Sequence, residues 1–386
     1  ASGMYALRAN TTGACNTAAG YAAMFCNSTG ARNAAYGFQA LHLNTGGHDN
    51  VAVGQQSLYC NTTGACNTAQ GAFALRTNTT GVRNTATGAC ALYSNTTGNF
   101  NTASGYMAMM LNTTGCNNSA VGFCALHANT TGLYNTSVGF RSLRLNTTGN
   151  CNTAVGHVSL FSNTTGLRNT GVGENSLTTN TTGNNNTALG WGAMINNTTG
   201  CRNTSSGYAT LYDNTTGHSN VANGDLALRN NTTGSHNTAV GICSIFAAET
   251  ANCNTAIGAF SLQNTTTASQ NAALGACAMN LNTTGDKNAA VGYSALVQST
   301  TASCNVAMGD HAMNKNTTGH SNIAIGRQAL ACNTTAAYNT VVGACAMYCN
   351  TTAGMAAVAI GFRAMHNNTT GSCNTAVGYN TLAVNT

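Results

Sequence analysis

The chain has 386 residues, of which only 5% are charged, and its formal net charge is +6. The basic residues are scattered and form no stripe, which argues against a nucleic-acid partner. No run of about 18 apolar residues is present that could span a membrane. Proline is absent and the 44 glycines recur at fixed intervals, unlike the composition of a disordered chain. These intervals predict a repeat architecture.

The repeating unit has 17 residues and is typified by Asn95–Leu111, whose positions are numbered as slots 1 to 17. Slot 1 recurs every 17 residues from Asn10 to Asn350, and one extra residue then delays it to Asn368. Length alone would suggest two or three domains, but no change in composition marks a boundary. We therefore expect residues 1–386 to form a single continuous repeat array.

Within each coil, slots 1 to 4 read Asn-Thr-Thr-Gly with little variation, which is turn chemistry in which glycine or asparagine accepts a positive φ. Slots 5 and 6 vary and are expected to face solvent, while slot 7 is Asn in 21 of 22 coils. Slots 8 to 11 form a short predicted strand, as in Thr153–Gly156. Slot 11 is Gly in all 22 complete coils, which predicts a bend or a close backbone approach.

Slots 12 and 13 vary, and slots 14 and 15 hold a small residue followed by Leu, Met or Ile, as in Ser142-Leu143. Slot 15 is the predicted core position. Two adjacent buried slots do not fit an alternating strand, so slots 12 to 16 either bend or form a brief helical turn.

Seventeen residues cannot bury a core alone, but stacked copies can. With about 4.8 Å between layers, slot 15 would form an aliphatic spine, and Asn at slots 1 and 7 would form amide ladders. The pattern predicts an all-β fold, a parallel β-solenoid of about 22 coils without capping repeats. In the 18-residue coil Asn350–Asn367, we expect a bulge in the turn to absorb the extra residue, because Gly361 and Met365 recover their spacing.

Asn152–Leu160, with Ser159 in the small-residue slot, is similar to the head repeats of trimeric autotransporter adhesins. The Asn-Thr-Thr-Gly runs resemble arrays in bacterial and phage tail-fibre-like surface proteins. The resemblance covers the whole chain, although the coil here is longer than that of the adhesin heads. It implies an extracellular β-roll or fibre shaft, sometimes trimeric, that projects or adheres.

The sequence offers little for catalysis. Its seven acidic residues are isolated, and neither His48-Asp49 nor Asp310-His311 has a nucleophile beside it in sequence. The nine histidines fall in scattered variable slots, so no metal-ligand spacing emerges. We expect no enzyme, no cofactor and no metal. The aromatic residues that share slot 12 favour a patchy aromatic surface over a platform for stacking sugars or bases.

The 17 cysteines are odd in number and never form Cys-x-x-Cys pairs, so most are read as small residues in semi-exposed slots. Two pairs remain candidates for disulfides. Cys332 and Cys349 share a slot in successive coils, where a Cα separation of about 5 Å permits a bridge. Cys60 and Cys66 flank a single turn.

Many Asn-Thr-Thr turns are also N-glycosylation sequons. We favour a turn and ladder role for these asparagines, with partial glycosylation as the alternative, because glycans rooted about 4.8 Å apart would crowd. The candidate sites in register are Asn10, Asn27, Asn61, Asn78, Asn95, Asn112, Asn129, Asn146, Asn163, Asn180, Asn197, Asn214, Asn231, Asn282, Asn316, Asn333, Asn350 and Asn368, and Asn264 adds one out of register.

Three non-catalytic functions fit these observations. The first is a structural subunit or shaft of an extracellular filament that assembles with itself, end to end or laterally. Ala1 begins in slot 9 and Thr386 stops in slot 2, so the partial coils are complementary in phase. The second is an adhesin-like rod at the cell surface, which would bind surface glycans or a host surface through slots 5, 6, 12 and 13. The third is an ice-binding solenoid that uses the threonines of slots 2 and 3.

Overall fold

A computed structural model of the chain describes residues 1–350, 355–369 and 371–385. It contains two compact units, Ala1–Trp191 and Gly192–Thr386. Each unit is a parallel β-solenoid in which one short strand pairs in register with the strand of the next coil. No helix occurs among the described residues. The predicted all-β solenoid is therefore confirmed, while the prediction of one continuous array over 1–386 stays a prediction.

The first unit contains eleven three-residue strands, all at slots 8 to 10. They are β1 (Thr17–Ala19), β2 (Ala34–Tyr36), β3 (Val51–Val53), β4 (Thr68–Gln70), β5 (Thr85–Thr87), β6 (Thr102–Ser104), β7 (Ser119–Val121), β8 (Thr136–Val138), β9 (Thr153–Val155), β10 (Thr170–Val172) and β11 (Thr187–Leu189).

The second unit repeats this arrangement and adds a two-stranded pairing of β22 with β24. Its strands are β12 (Thr204–Ser206), β13 (Val221–Asn223), β14 (Thr238–Val240), β15 (Thr255–Ile257), β16 (Ala272–Leu274), β17 (Ala289–Val291), β18 (Val306–Met308), β19 (Ile323–Ile325), β20 (Thr340–Val342), β21 (Val358–Ile360), β22 (Asn367–Asn368), β23 (Thr375–Val377) and β24 (Val384–Asn385).

Each strand buries its middle residue and turns its outer two residues outward, as the two-residue period of a strand requires. In β9, Ala154 is buried, Thr153 is half-buried and Val155 is exposed. The buried residue is alanine in most coils, because a coil this thin has little room for a larger side chain. The aliphatic residues of slot 10 consequently lie on the surface.

Glycine at slot 11 is required twice over. Gly156 has φ +134, a conformation that strains residues with a Cβ, and a Cβ there would lie 2.5 Å from the carbonyl oxygen of Gly173 in the next coil. The predicted bend and the predicted close approach are both present.

The segment after this glycine bends, which settles the alternative that the sequence left open. Residues at slots 13 and 15 adopt left-handed conformations although they carry side chains, as at Met107 (φ 54) and Met109 (φ 48). Slot 6 does the same, as at Phe100 (φ 58). Such conformations are costly for single residues, so the inter-coil packing must hold them in place.

Slot 15 forms the aliphatic core in both units. Its side chains are fully buried from Met24 to Leu177 and again from Met194 to Met365. The exceptions are Leu7, which is half-buried, and Leu382, which is 49% exposed. Burial of slot 15 along the stack confirms the predicted core position.

The core register survives the 18-residue coil. Thr340 pairs with Val358 and Val342 with Ile360, and the backbone amide of Ala357 donates to Asn339 Oδ1 across 18 positions. Gly361 has the positive φ of other slot-11 glycines, and Met365 is fully buried. The predicted recovery of register is confirmed. The predicted bulge concerns the turn that follows Asn350, where residues 351–354 lie outside the described residues, so it stays a prediction.

Candidate functional sites

The asparagines of slot 1 form a buried amide ladder between coils. Asn95 Nδ2 donates to Asn78 Oδ1 at 2.8 Å and to the carbonyl oxygen of Gly98 at 3.0 Å. Asn112 Nδ2 donates in turn to Asn95 Oδ1 at 2.8 Å. In the first unit, this pattern runs without a break from Asn10 to Asn180.

The asparagines of slot 7 form a second ladder beside the first. The backbone amide of Asn101 donates to Asn84 Oδ1 at 3.0 Å, and Asn84 Nδ2 donates to the carbonyl oxygen of Gly98 at 2.8 Å. That carbonyl also accepts from Asn95 Nδ2, so the slot-4 residue joins the two ladders. Where both ladders are intact, the buried amides thus have partners, as polar groups in a protein interior require.

The glycine of slot 4 has a role other than the one expected. Its φ is not positive, but a Cβ on Gly98 would lie 2.5 Å from the Gly115 carbonyl oxygen and would also meet Asn95 Oδ1. Glycine is therefore needed for space beside the ladder. The expectation of a positive φ at this turn was wrong for its glycine.

The slot-1 ladder is interrupted where slot 1 is not asparagine. Ala248 and Ser299 stand in that slot, and the Oδ1 atoms of Asn231 and Asn282 in the coils before them are buried without a hydrogen-bond partner. The coils without asparagine at slot 1 carry alanine at slot 4, namely Ala251, Ala268 and Ala302. Loss of the asparagine removes one of the atoms that a Cβ at slot 4 would meet.

These contacts bear on the candidate glycosylation sites. Apart from Asn10, which is exposed, all the in-register candidates are fully buried. A glycan on Nδ2 would replace one of its two hydrogens and would need solvent access, which the stacked coils do not give. The asparagine side chains therefore form the hydrogen-bonded ladders that the sequence predicted. Asn264 is half-buried, so it and Asn10 are the more accessible candidates.

The outer side of the strands presents a column of exposed aliphatic side chains at slot 10. In the first unit, these side chains belong to consecutive coils and are 36–42% exposed; they are Val121, Val138, Val155, Val172 and Leu189. The second unit has a similar column of Ile257, Leu274, Val291, Met308 and Ile325. Contiguous apolar surface of this kind marks interaction sites.

Aromatic side chains stack along two further columns. In slot 12, Tyr106, Phe123, Phe140 and His157 stack with centroid distances of 5.3–5.5 Å. Because the rings cover one another's faces, they offer a sugar or a base mainly their edges. In slot 16, Arg76 lies between the rings of Tyr59 and Tyr93, at 5.5 and 5.6 Å from their centroids.

Slots 5 and 6 form a surface with shallow grooves. One groove of about 240 Å³ is lined by Leu133, Tyr134, Asn150, Cys151, Leu167 and Arg168. These are the variable residues of three successive coils, so the groove's chemistry changes from place to place along the stack.

The same surface brings together three potential metal ligands that the sequence expectation missed. One ligand atom each of His48, Asp49 and Cys66 lies within 4.8 Å of the others. His48 Nδ1 is 2.7 Å from Asp49 Oδ2, and Arg32 Nε is 2.6 Å from Asp49 Oδ1. A hydrogen bond from Arg32 and, to a smaller extent, one from His48 hold the pKa of Asp49 well below its usual range. The 17-residue period could have revealed this cluster, since Cys66 follows Asp49 by 17 residues and therefore occupies the same slot of the next coil.

All 17 cysteines are free thiols in the structure. Cys332 and Cys349 are both half-buried, and burial, followed by the charge of Cys332 and a hydrogen bond to it, raises the pKa of the Cys349 thiol. These two thiols are therefore neighbours, and their disulfide stays a prediction. In the second candidate pair, Cys60 lies near Arg76, whereas Cys66 lies near His48 and Asp49. The two thiols therefore have different surroundings.

Comparison with known proteins gave no family model that matches the chain and no curated protein that matches it. Among the described residues, no helix is long and apolar enough to cross a membrane.

Proposed function

We propose that this protein is a structural subunit or shaft of an extracellular filament, built by stacking β-solenoid coils and acting without catalysis. The observation that carries the proposal is the hydrogen bonding between coils. In most coils, backbone groups and two asparagine side chains bind the coils on either side, as Asn95 and Asn101 do. The side chains that form the core and the ladders thus hold successive coils together.

This bonding suits assembly of the protein with itself along the stack. Most coils offer the same donors and acceptors at the same slots, so a coil from a second chain would be bound as the next coil of the same chain is. Unpaired strand edges are templates for such pairing unless they are blocked.

The aliphatic column at slot 10 suits a second, lateral contact. Packing two such columns together would remove half-exposed Val and Leu side chains from water, at about 25 cal/mol per Å² of apolar area buried. A second copy of the chain is the partner that fits best, because it presents the same column at the same spacing. The extracellular location rests on the resemblance to surface-protein repeats.

Axial stacking is tested by electron cryomicroscopy and fibre diffraction of the purified protein. We expect filaments with a strong layer line near about 4.8 Å. A monodisperse monomer that persists at high concentration would overturn the filament proposal.

Lateral association is tested by the triple variant V138K/V155K/V172K. The matched control is T131K/T148K/T165K, which adds the same charge at exposed slot-3 positions of the same region. We expect only the slot-10 variant to separate laterally associated filaments in sedimentation and micrographs. Equal effects of the two variants would show that net charge, and not the aliphatic column, controls association.

An adhesin-like rod is the second candidate, and the groove at slots 5 and 6 favours it. Its partners would be surface glycans or a host surface. Binding of monomeric protein to a glycan array, weakened by L133D but retained in V138K/V155K/V172K, would support this candidate over the filament.

Ice binding gains less support, because the hydroxyls of slot 2 already have partners. Thr147 Oγ1, for example, donates to the carbonyl oxygen of Thr164 at 3.1 Å. The threonines of slots 2 and 3 therefore do not present a paired array of free hydroxyls. An assay of ice recrystallisation at micromolar protein would detect the activity if it exists.

A further inference from the structure

The His48–Asp49–Cys66 cluster is created by coil stacking. His48 and Asp49 occupy slots 5 and 6 of one coil, and Cys66 occupies slot 6 of the next. The backbone amide of Cys66 donates to the carbonyl oxygen of His48 at 3.0 Å, which fixes the register between the two coils. The three side chains are therefore held together by the same inter-coil bonds that build the fold.

The cluster combines three types of ligand that divalent transition metals use. Thiolate and imidazole suit zinc and related metals, and a carboxylate, which also binds zinc, completes a set of three ligands that leaves a fourth position open. Aspartate and thiolate together would balance the two positive charges of the ion. Arg32 binds Asp49 through Nε and Nη2 at 2.6 and 2.8 Å. This contact orients the carboxylate, as outer partners of metal ligands do.

We propose that His48, Asp49 and Cys66 form a binding site for a divalent transition metal, with zinc the best fit, that links two successive coils. Binding converts the Cys66 thiol to a metal-bound thiolate and releases its proton to solvent. An imidazole nitrogen of His48 and a carboxylate oxygen of Asp49 supply the other two bonds. Water fills the fourth position.

The geometry needs only local adjustment. Ligand atoms bound at about 2.0–2.3 Å in a tetrahedron lie roughly 3.5 Å apart. The ligand atoms here lie within 4.8 Å of one another, so a pair at that limit would close by about 1.3 Å, while His48 Nδ1 and Asp49 Oδ2, at 2.7 Å, would separate by about 0.8 Å to reach this spacing. The side chains of His48 and Asp49 are 50% and 36% exposed, so solvent leaves them room to rotate.

A cobalt titration of the reduced full-length chain near neutral pH tests the site. Cobalt(II) replaces zinc and gives tetrahedral visible bands, together with a thiolate charge-transfer band in the near ultraviolet. We expect one equivalent to bind with this spectrum and zinc to displace it.

The variants are C66S, H48Q and D49N, and the matched control is C151S. Cys151 is also exposed in slot 6, but the neighbouring slots hold Asn150, Tyr134 and Arg168. We expect C66S to abolish the thiolate band and weaken cobalt binding more than 100-fold, since changes outside the ligand shell alone cost about 10–100-fold. H48Q and D49N should each weaken binding at least 10-fold, and C151S should leave it unchanged.

Two results would overturn the proposal. One is the absence of a thiolate band in the wild-type chain at millimolar cobalt. The other is retention of the band and the affinity in C66S. Because the substituted residues lie on the surface, circular dichroism of each variant should match the wild type, which separates loss of the ligand from loss of the fold.

Discussion

The interrupted ladder at Ser299 gives the sharpest test of how the coils are held together. Ser299 lies between Asn282 and Asn316, and both Asn282 Oδ1 and Ser299 Oγ are buried without partners. The double variant S299N/A302G restores the residues found in intact coils. The Nδ2 of the introduced amide would donate to Asn282 Oδ1, and its Oδ1 would accept from Asn316 Nδ2. Replacing Ala302 by glycine removes the Cβ that would crowd that oxygen.

The expected gain follows from the groups that acquire partners. Leaving a buried acceptor unsatisfied costs about 1–3 kcal/mol, whereas glycine in place of alanine costs about 0.5–1 kcal/mol. We therefore expect S299N/A302G to stabilise this region by about 1–2 kcal/mol. The single variant S299N should gain less. Where asparagine and alanine coexist, at Asn333 and Ala336, the next ladder bond from Asn350 is long, at 3.2 Å.

Hydrogen exchange followed by mass spectrometry is the appropriate assay, because repeat proteins unfold in parts and a single melting temperature is not well defined. Peptides spanning 282–316 should exchange more slowly in the double variant, while peptides of the first unit should not change. The reverse substitution, N95A, should speed exchange around the intact ladder, and T97A at an exposed position serves as its control. Equal protection in S299N and S299N/A302G would refute the steric role given to slot 4.

Three further predictions concern the core, a histidine and the sequons. L160D should destabilise the first unit by several kcal/mol, because it buries an unpaired charge, and V155D at the exposed slot 10 should cost much less in the same urea unfolding experiment. Burial, and then the charge of Arg144, lowers the pKa of His127. As the pH falls, His127 therefore becomes protonated in the unfolded chain before it does in the folded chain. The free energy of unfolding should accordingly fall as the pH drops below about 6.5. This contribution should be missing in H127Q. Peptides containing Asn61 and Asn95 should be unmodified by mass spectrometry even after expression in a secretory pathway, and glycans on folded protein at these sites would contradict the buried ladder.

The fold could be read from the sequence because each structural slot is filled nearly the same way in 22 coils. Because Leu, Met or Ile recurs at slot 15 and glycine recurs at slot 11 in every complete coil, repetition showed that these positions have structural roles. It also indicated the two asparagine ladders, since an amide that recurs every 17 residues lies next to the equivalent amide of the neighbouring coil.

What the sequence could not give were properties of backbone conformation and of neighbours in adjacent coils. The left-handed conformations of slots 13 and 15 are adopted by Leu, Met and Cys, which have no local preference for them. Only stacking makes them favourable. The glycine of slot 4 was read as a turn residue because its true constraint, the Asn Oδ1 beside it, is visible only in three dimensions.

The side-chain clusters were missed for a related reason, since neighbours along the sequence are not the neighbours that matter in a stack. Arg32 pairs with Asp49, and Asp49 meets Cys66, at separations of 17 residues. Stacking also limits charge, because two like charges in the same slot of successive coils would repel by about 1 kcal/mol in water and about 3–4 kcal/mol at an effective dielectric constant of 20. No two arginines occupy the same slot in successive coils. Several lie beside rings, as Arg229 does beside Tyr212 and Phe246. The low charge content of the chain thus suits an architecture in which equivalent slots lie directly above one another, and side chains in the same variable slot of successive coils are the ones that can act together.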